Sequence, residues 1–292
     1  MTKKVALVLS GGGAKGAFQV GAEKYAREKK GYRWSIISGV SIGAANGAFL
    51  AAGRHDRLLE IWNGITPEKI FGKGRNAFHV GRRLLNGSAS LFDNDRIKAL
   101  ADEIDPADIR IDFIVGAVSL VTGAFHAFRP SDPNFKKALL ASGSLPLVFP
   151  PVDVSDDLPA MVDGGTRNVS PLGLVRDSEP DEIVVMNCSS AASLPIKAAP
   201  TSALKISQRA SEIAMFEIFS NDVGNFLRTN RLVEQAAAKG VTLVNADGRP
   251  LRRYPITIIE PDERLGETTD FSQAHIRRAF DAGWEKAKKV LG

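Results

Sequence analysis

Residues 5–16 read VALVLSGGGAKG: five apolar residues, Ser10, three glycines, then Ala14, Lys15 and Gly16. An apolar run of that length stopped by glycines is a buried strand meeting a turn. Residues 16–30 follow with Ala17, Val20, Ala22 and Tyr25 on a helical period. Residues 34–37 form a second apolar run, broken by Ser38-Gly39, and residues 42–52 are apolar and small at nearly every position. The order is strand, helix, strand, helix, which predicts a parallel sheet with right-handed crossovers. The fold expected is α/β, a three-layer α/β/α arrangement around a mostly parallel central sheet.

Further along, residues 112–120 and 123–128 predict two strands joined by Val121-Thr122, and residues 135–141 a short helix. Residues 183–186 predict another buried strand, and residues 203–238 a long helix interrupted near Gly224. A late strand at 255–259 precedes a terminal amphipathic helix, 272–291, with Ile276, Phe280, Trp284, Ala287 and Leu291 at helical spacing. No repeat or low-complexity linker divides the 292 residues, so one domain is expected over 1–292, with its core at about 5–231 and the strand and helix of 255–291 added to it. Residues 71–92 mix Phe71, Phe78, Leu84 and Leu85 with arginines, the composition of a surface loop or of a lid.

Three constellations carry chemistry. Gly39-Val40-Ser41-Ile42-Gly43 stands between a strand and a helix, where G-x-S-x-G permits the sharp turn that lifts a serine hydroxyl above a sheet. Glycines flank Ser41 because a side chain there would strike the neighbouring strand and helix. The following helix N-terminus steadies developing negative charge. Ser10 to Gly16 is a second strand-to-helix turn, whose unhindered N–H groups suit an oxyanion. Parallel topology brings both turns to one sheet edge. The third, Asp163-Gly164-Gly165 after the apolar Ala160-Met161-Val162, reads alone as a tight polar turn. It gains meaning because Ser41 needs a base.

These motifs, in this order and context, resemble those of the patatin-like phospholipases. Residues 141–151, running from Ala141-Ser142-Gly143-Ser144-Leu145-Pro146 to Phe149-Pro150-Pro151, resemble that family's stretch before its aspartate, and residues 216–227 its helix. The resemblance implies a Ser–Asp dyad without histidine, with Ser41 as nucleophile and Asp163 as base. It also implies an oxyanion hole from Gly11, Gly12 and Gly13 with the amide near Ala14, supported by Lys15, Gly16, Gly39, Gly43, Gly164 and Gly165. Val40 and Ile42 are larger than the family's usual residues, which predicts a narrowed acyl pocket. The implied substrate is a lipid or similar amphiphilic acyl ester, cleaved through an acyl-serine, with no cofactor.

Rival readings are weaker. Gly11-x-Gly13-x-x-Gly16 fits a dinucleotide fingerprint, but Ile36, Ile37 and Ser38 stand where its acidic residue belongs. A P-loop fails because Lys15 precedes Gly16. A Ser–Asp–His triad would need His275, the one histidine after Asp163, expected as a surface or half-buried residue of the terminal helix. A silent lipid-binding module would not need these three motifs. The four histidines are isolated, and the acidic stretch Asp93, Asp95, Asp102, Glu103, Asp105 lacks a calcium loop's glycine, so no metal is expected.

Net charge is +5 with the cations dispersed, including Lys24, Arg27, Lys29, Lys30 and Arg33 and, separately, Lys73, Arg75, Arg82 and Arg83. Nucleic-acid binding would concentrate them with aromatics between, so it is not expected. Cys188 is the sole cysteine, a buried thiol by its setting. The apolar run 5–9 is too short for a signal peptide and no run is long enough to span a membrane, which predicts a cytoplasmic protein meeting membranes only peripherally. The oligomeric state is left open.

Overall fold

The computed structural model describes residues 3–72, 82–83 and 86–292. Its centre is a sheet in the order β4-β3-β2-β1-β6-β7, built from β1 (Val5–Leu9), β2 (Trp34–Gly39), β3 (Asp112–Ser119), β4 (Phe125–Phe128), β6 (Glu182–Met186) and β7 (Ile256–Ile259), with β5 (Met161–Asp163) paired to β3. All neighbours are parallel except β4 and β5, which both run antiparallel to β3. The sheet is thus mixed and mostly parallel, as expected.

Strand alternation explains the layers. On β1, Val5, Leu7 and Leu9 face one core while Ala6 and Val8 face the other. The first core is roofed by α1 (Ala17–Lys30), α2 (Ile42–Ala51), α6 (Phe135–Ser142) and α9 (Gln273–Leu291). The second is roofed by α7 (Leu172–Arg176) and the long α8 (Ala203–Ala237), through Leu172, Val175, Phe219, Val223 and Phe226. Three further helices, α3 (His55–Gly64), α4 (Pro67–Phe71) and α5 (Asp95–Asp102), extend the first layer.

Helix α8 runs without a break through Gly224, against expectation. A Cβ at Gly224 would meet nothing within 4 Å, so packing neither requires this glycine nor bends the helix there. Gly283 of α9 is the opposite case. A Cβ there would lie 1.9 Å from the carbonyl oxygen of Phe18, and one at Gly21 of α1 would lie 2.0 Å from that of Phe280. The two helices touch backbone to backbone at both points, and Tyr25 and Trp284 meet edge to face beside them at 5.2 Å.

Of the stretch 71–92, read as a surface loop or a lid, residues 73–81, 84 and 85, with Phe78, Leu84 and Leu85 among them, lie outside the described residues. At its ends, Phe71 packs on Phe92 and Phe149, and the amides of Leu91 and Phe92 donate to the carbonyls of Leu147 and Val148. No helix among the described residues is long and apolar enough to cross a membrane.

One substitution at two sites separates these glycines. Gly224→Ala is expected to stabilise the protein by about 0.5–1 kcal/mol, the helix-propensity gain. Gly283→Ala is expected to destabilise it by about 1–3 kcal/mol by forcing α1 and α9 apart. Urea unfolding of both variants checks the opposite signs.

Candidate active site

Ser41 sits in the turn between β2 and α2 with φ 56 and ψ −132, a conformation that costs a non-glycine residue energy and is held by its surroundings. The surroundings are tight. A Cβ at Gly39 would lie 2.6 Å from the Gly43 carbonyl, and one at Gly43 would lie 2.4 Å from the Leu9 carbonyl oxygen. The amides of Gly43 and Ala44 return to the Val40 carbonyl at 2.9 and 3.2 Å, so α2 begins directly beneath the serine.

Strand pairing brings Asp163 to this turn. β2 pairs with residues 112–115 of β3 and leaves the sheet at Gly39, which is opposite Val115. β4 occupies the other edge of β3 along residues 115–118. β5 must therefore lie on the β2 edge, and it pairs with residues 117–119 from the opposite direction, ending with Asp163 opposite Ala117. β2 and β5 meet nearly end to end along one side of β3, β2 stopping two residues short of Ser41 and β5 at Asp163. The segment after α6 ties the ends together: Ser142 Oγ accepts the Ser41 N–H at 3.1 Å, and the Ser144 carbonyl accepts the Asp163 N–H at 3.0 Å. Sequence reading noticed this stretch only through the family resemblance.

The Asp163 side chain is buried. It accepts the Gly165 N–H at 2.7 Å and has the Ser41 hydroxyl beside it. Burial pushes its carboxyl up to about 6, although both donors favour the anion and pull it down. Gly164 abuts the Gly116 carbonyl beneath.

The glycine turn divides its amides. Gly11 donates to the Val169 carbonyl at 3.2 Å and Ala14 to the Thr268 carbonyl at 2.8 Å. Those of Gly12 and Gly13 have no hydrogen-bond partner among the described residues, and both glycines line the cavity that holds Ser41. The four amides anticipated as oxyanion donors thus narrow to two, because Gly11 and Ala14 anchor the turn.

The cavity has about 1510 Å³ of empty space including its open mouth. One arm runs between helices past Phe49, Leu58, Ile65, Ile104, Leu139 and Phe271 and is apolar throughout. Another part is polar, with Asn187, Ser189 and Lys15. The buried Lys15 ammonium donates to Ser189 Oγ and Glu212 Oε1, both at 3.1 Å, and Arg209 and Arg264 hold the same Glu212 carboxylate. Burial alone would raise the Glu212 pKa, but the three cations outweigh it and hold it below the usual range. This cluster joins α8 to the glycine turn and was not legible in the sequence.

Two expectations need correction. Ile42 does line the cavity, but Val40 lies beneath it, its methyl against Gly116 and Gly164, so it cannot narrow an acyl pocket. His275 is wholly buried instead of at the surface, because its side of α9 packs onto the loop at Gly266. Among the described residues neither ring nitrogen has a hydrogen-bond partner; Asp270 lies 3.9 Å from Nδ1. Burial holds its pKa below the usual value. Cys188 is buried, with its thiol pushed up to about 11 by desolvation, and packs under Gly12. Among the described residues no group of three or more His, Cys, Asp or Glu could hold a metal ion.

Comparison with known proteins follows this geometry. The family model described as patatin-like phospholipase matches residues 7–176. A protein named cGAMP-activated phospholipase from Vibrio cholerae is 26% identical over 308 residues, covering 84% of this chain and 86% of that protein. An uncharacterized NTE family protein of Mycobacterium tuberculosis is 28% identical over 203 residues, which is 66% of this chain and about half, 51%, of that protein. The crystal structure of VipD from Legionella pneumophila aligns with a TM-score of 0.53 over 100% of this chain and 67% of that one. Identity there is 13%, so that likeness speaks for the fold alone.

The buried carboxyl gives a stability test. A carboxyl with its folded pKa above its unfolded value of about 3.9 favours the fold when protonated, so its contribution is complete at low pH and is lost as pH rises through 6. Asn mimics the protonated form. Asp163→Asn is expected to exceed the parent in stability by on the order of 3 kcal/mol above pH 6.5, with the difference shrinking toward pH 4. Urea titrations across that range would contradict the placement if the difference were independent of pH.

Proposed function

The chain belongs to the patatin-like phospholipase family, and from that premise we propose that it is a serine lipid-acyl hydrolase working through a Ser41–Asp163 dyad. The observation that carries the reading is the placement of the Ser41 hydroxyl beside a desolvated carboxylate in a largely apolar cavity.

A serine hydroxyl is a weak nucleophile until a positioned base takes its proton. Asp163 accepts that proton as Ser41 Oγ bonds to the acyl carbonyl carbon. The carbonyl oxygen becomes an oxyanion, for which the free N–H groups of Gly12 and Gly13 are the donors available; each preorganised donor is worth roughly 2.7–4 kcal/mol. Collapse breaks the bond to the leaving alkoxide, which takes the proton back from Asp163, and an acyl-serine remains. Water then attacks the acyl-serine with Asp163 again as base, releasing the acid and restoring Ser41. A carboxyl near 6 is ionised at neutral pH yet more basic than an exposed aspartate, which suits this task. The apolar arm takes an acyl chain, and the enzyme class is a carboxylic ester hydrolase of phospholipase type.

The triad alternative loses its histidine. Among the described residues His275 has no hydrogen-bond partner at either nitrogen, which argues against an acid–histidine–serine relay through it.

Ser41→Ala and Asp163→Asn are each expected to lower kcat/KM on a short-chain nitrophenyl ester by ~10³-fold or more. His275→Ala is expected to retain turnover. The parent's kcat/KM is expected to fall tenfold per pH unit below an apparent pKa of about 6, as Asp163 takes up a proton. Full activity in Ser41→Ala, or an intact Asp163→Asn beside a dead His275→Ala, would overturn the dyad.

A further inference from the structure

Six of the eleven exposed large apolar side chains among the described residues lie toward one edge of the sheet. β1, β2, β3 and β6 are parallel, so Ser41 and every segment leaving their carboxyl ends share one edge of the sheet. On that edge the turn after β3 exposes Leu120 and Val121, the loop after α6 exposes Leu147, the loop after β6 exposes Ile196, and the start of α8 exposes Ile206 and Ile213. Val121 is 70% exposed and Ile206 53%.

These segments also build the cavity. Leu145 and Val148 line it on either side of the exposed Leu147; Ser189 lines it in the loop that carries Ile196; Glu212, Met215 and Phe216 line it beside the exposed Ile213. The 120–121 turn is hydrogen-bonded to Ala160, three residues before Asp163. Helix α8 packs on the core from Met215 onward, and Arg209 and Glu212 are already tied to Leu194 and Lys15, so only its first turns, residues 203–208, stand clear, over roughly 9 Å at about 1.5 Å per residue. Ala203, Lys205, Ile206 and Ser207 on its first turns are all exposed.

We propose that this carboxyl edge is the face by which the protein docks on a lipid bilayer, with Val121, Leu147, Ile206 and Ile213 entering the headgroup–acyl boundary around the cavity mouth. The choice of a bilayer over a protein partner rests on two observations. The apolar tips sit on four separate protruding segments and form no continuous groove. They also stand on segments that line the apolar cavity holding Ser41, which lets a chain drawn from a bilayer reach Ser41 without crossing water. Charge on these segments is net negative, with Lys197, Lys205 and Arg209 against Asp153, Asp156, Asp157, Glu212 and Glu217. Docking is therefore apolar in origin and does not need anionic lipid.

The occupant follows from the hydrolase reading; the test separates the two. Sedimentation of the full chain with phosphatidylcholine vesicles is expected to show binding that survives high salt. A Val121→Glu, Ile206→Glu double variant is expected to lose about tenfold in partitioning per site, with hydrolysis of a dissolved short-chain ester within about twofold of the parent. Val244→Glu is the control, since exposed Val244 follows α8 at the far end of the molecule, and it is expected to bind as the parent does. Brominated phosphatidylcholine quenching of a Val121→Trp variant, above the parent's own signal, supports docking even if the double variant folds poorly. Undiminished vesicle binding by the double variant, binding that requires anionic lipid and vanishes in salt, or no binding by the parent would each overturn the proposal. A parent that binds vesicles but cleaves no ester would instead sink the hydrolase reading and leave docking standing.

Discussion

The whole site hangs on the backbone of Ser41, held with φ 56 over the carboxyl edge of the sheet. A non-glycine residue stays there only when its neighbours over-determine it, and here they do. Gly39 and Gly43 let β2, α2 and the end of β1 come within van der Waals contact, and the Ser142 hydroxyl takes the serine amide. β3 then supplies the second half of the constraint. It is longer than β2, so beyond Gly39 its edge is open, and β5 fills that edge from the other direction and stops at Asp163. Serine and carboxylate meet because two strands run out at one place on a third.

The energetic cost is concentrated where the chemistry is. Asp163 is an acid without a cation beside it, buried, and stabilised as an anion by one hydroxyl and one amide. That placement works against folding and in favour of proton transfer, a trade common at catalytic sites. The glycine turn shows the same economy. Its outer amides, at Gly11 and Ala14, are satisfied by Val169 and Thr268, while its inner amides have no partner among the described residues. Lys15 at its end is held by Glu212, so the long helix and the 264–268 loop brace the turn from outside the family-matched region of residues 7–176.

Much of this was legible in the residues. Apolar runs such as Val5–Leu9 and Glu182–Met186 are strands because both faces of a central parallel sheet are buried, which leaves a periodicity-free apolar signal. The elbow was legible because its glycines answer to steric contacts among nearby residues. What stayed hidden depends on distant segments. The burial of His275 comes from a loop that precedes α9, and the inward packing of Val40 from two glycines on β3 and after β5. Gly224 misled because a helix break is inferred from local propensity, whereas α8 is held by its Phe219, Val223 and Phe226 stripe. Helices α3, α4 and α5 lie in mixed polar stretches whose apolar residues only find partners in the folded layer.

The account's central claim is that Ser41 is activated by Asp163. The most direct test is to treat the folded protein with a fluorophosphonate and locate the adduct by peptide mass spectrometry. The dyad predicts a single adduct on Ser41, formed at a rate that titrates near pH 6 and collapses in Asp163→Asn. An adduct elsewhere, none at all in folded protein with or without lipid micelles, or equally fast labelling of Ser41 without the carboxylate would contradict it.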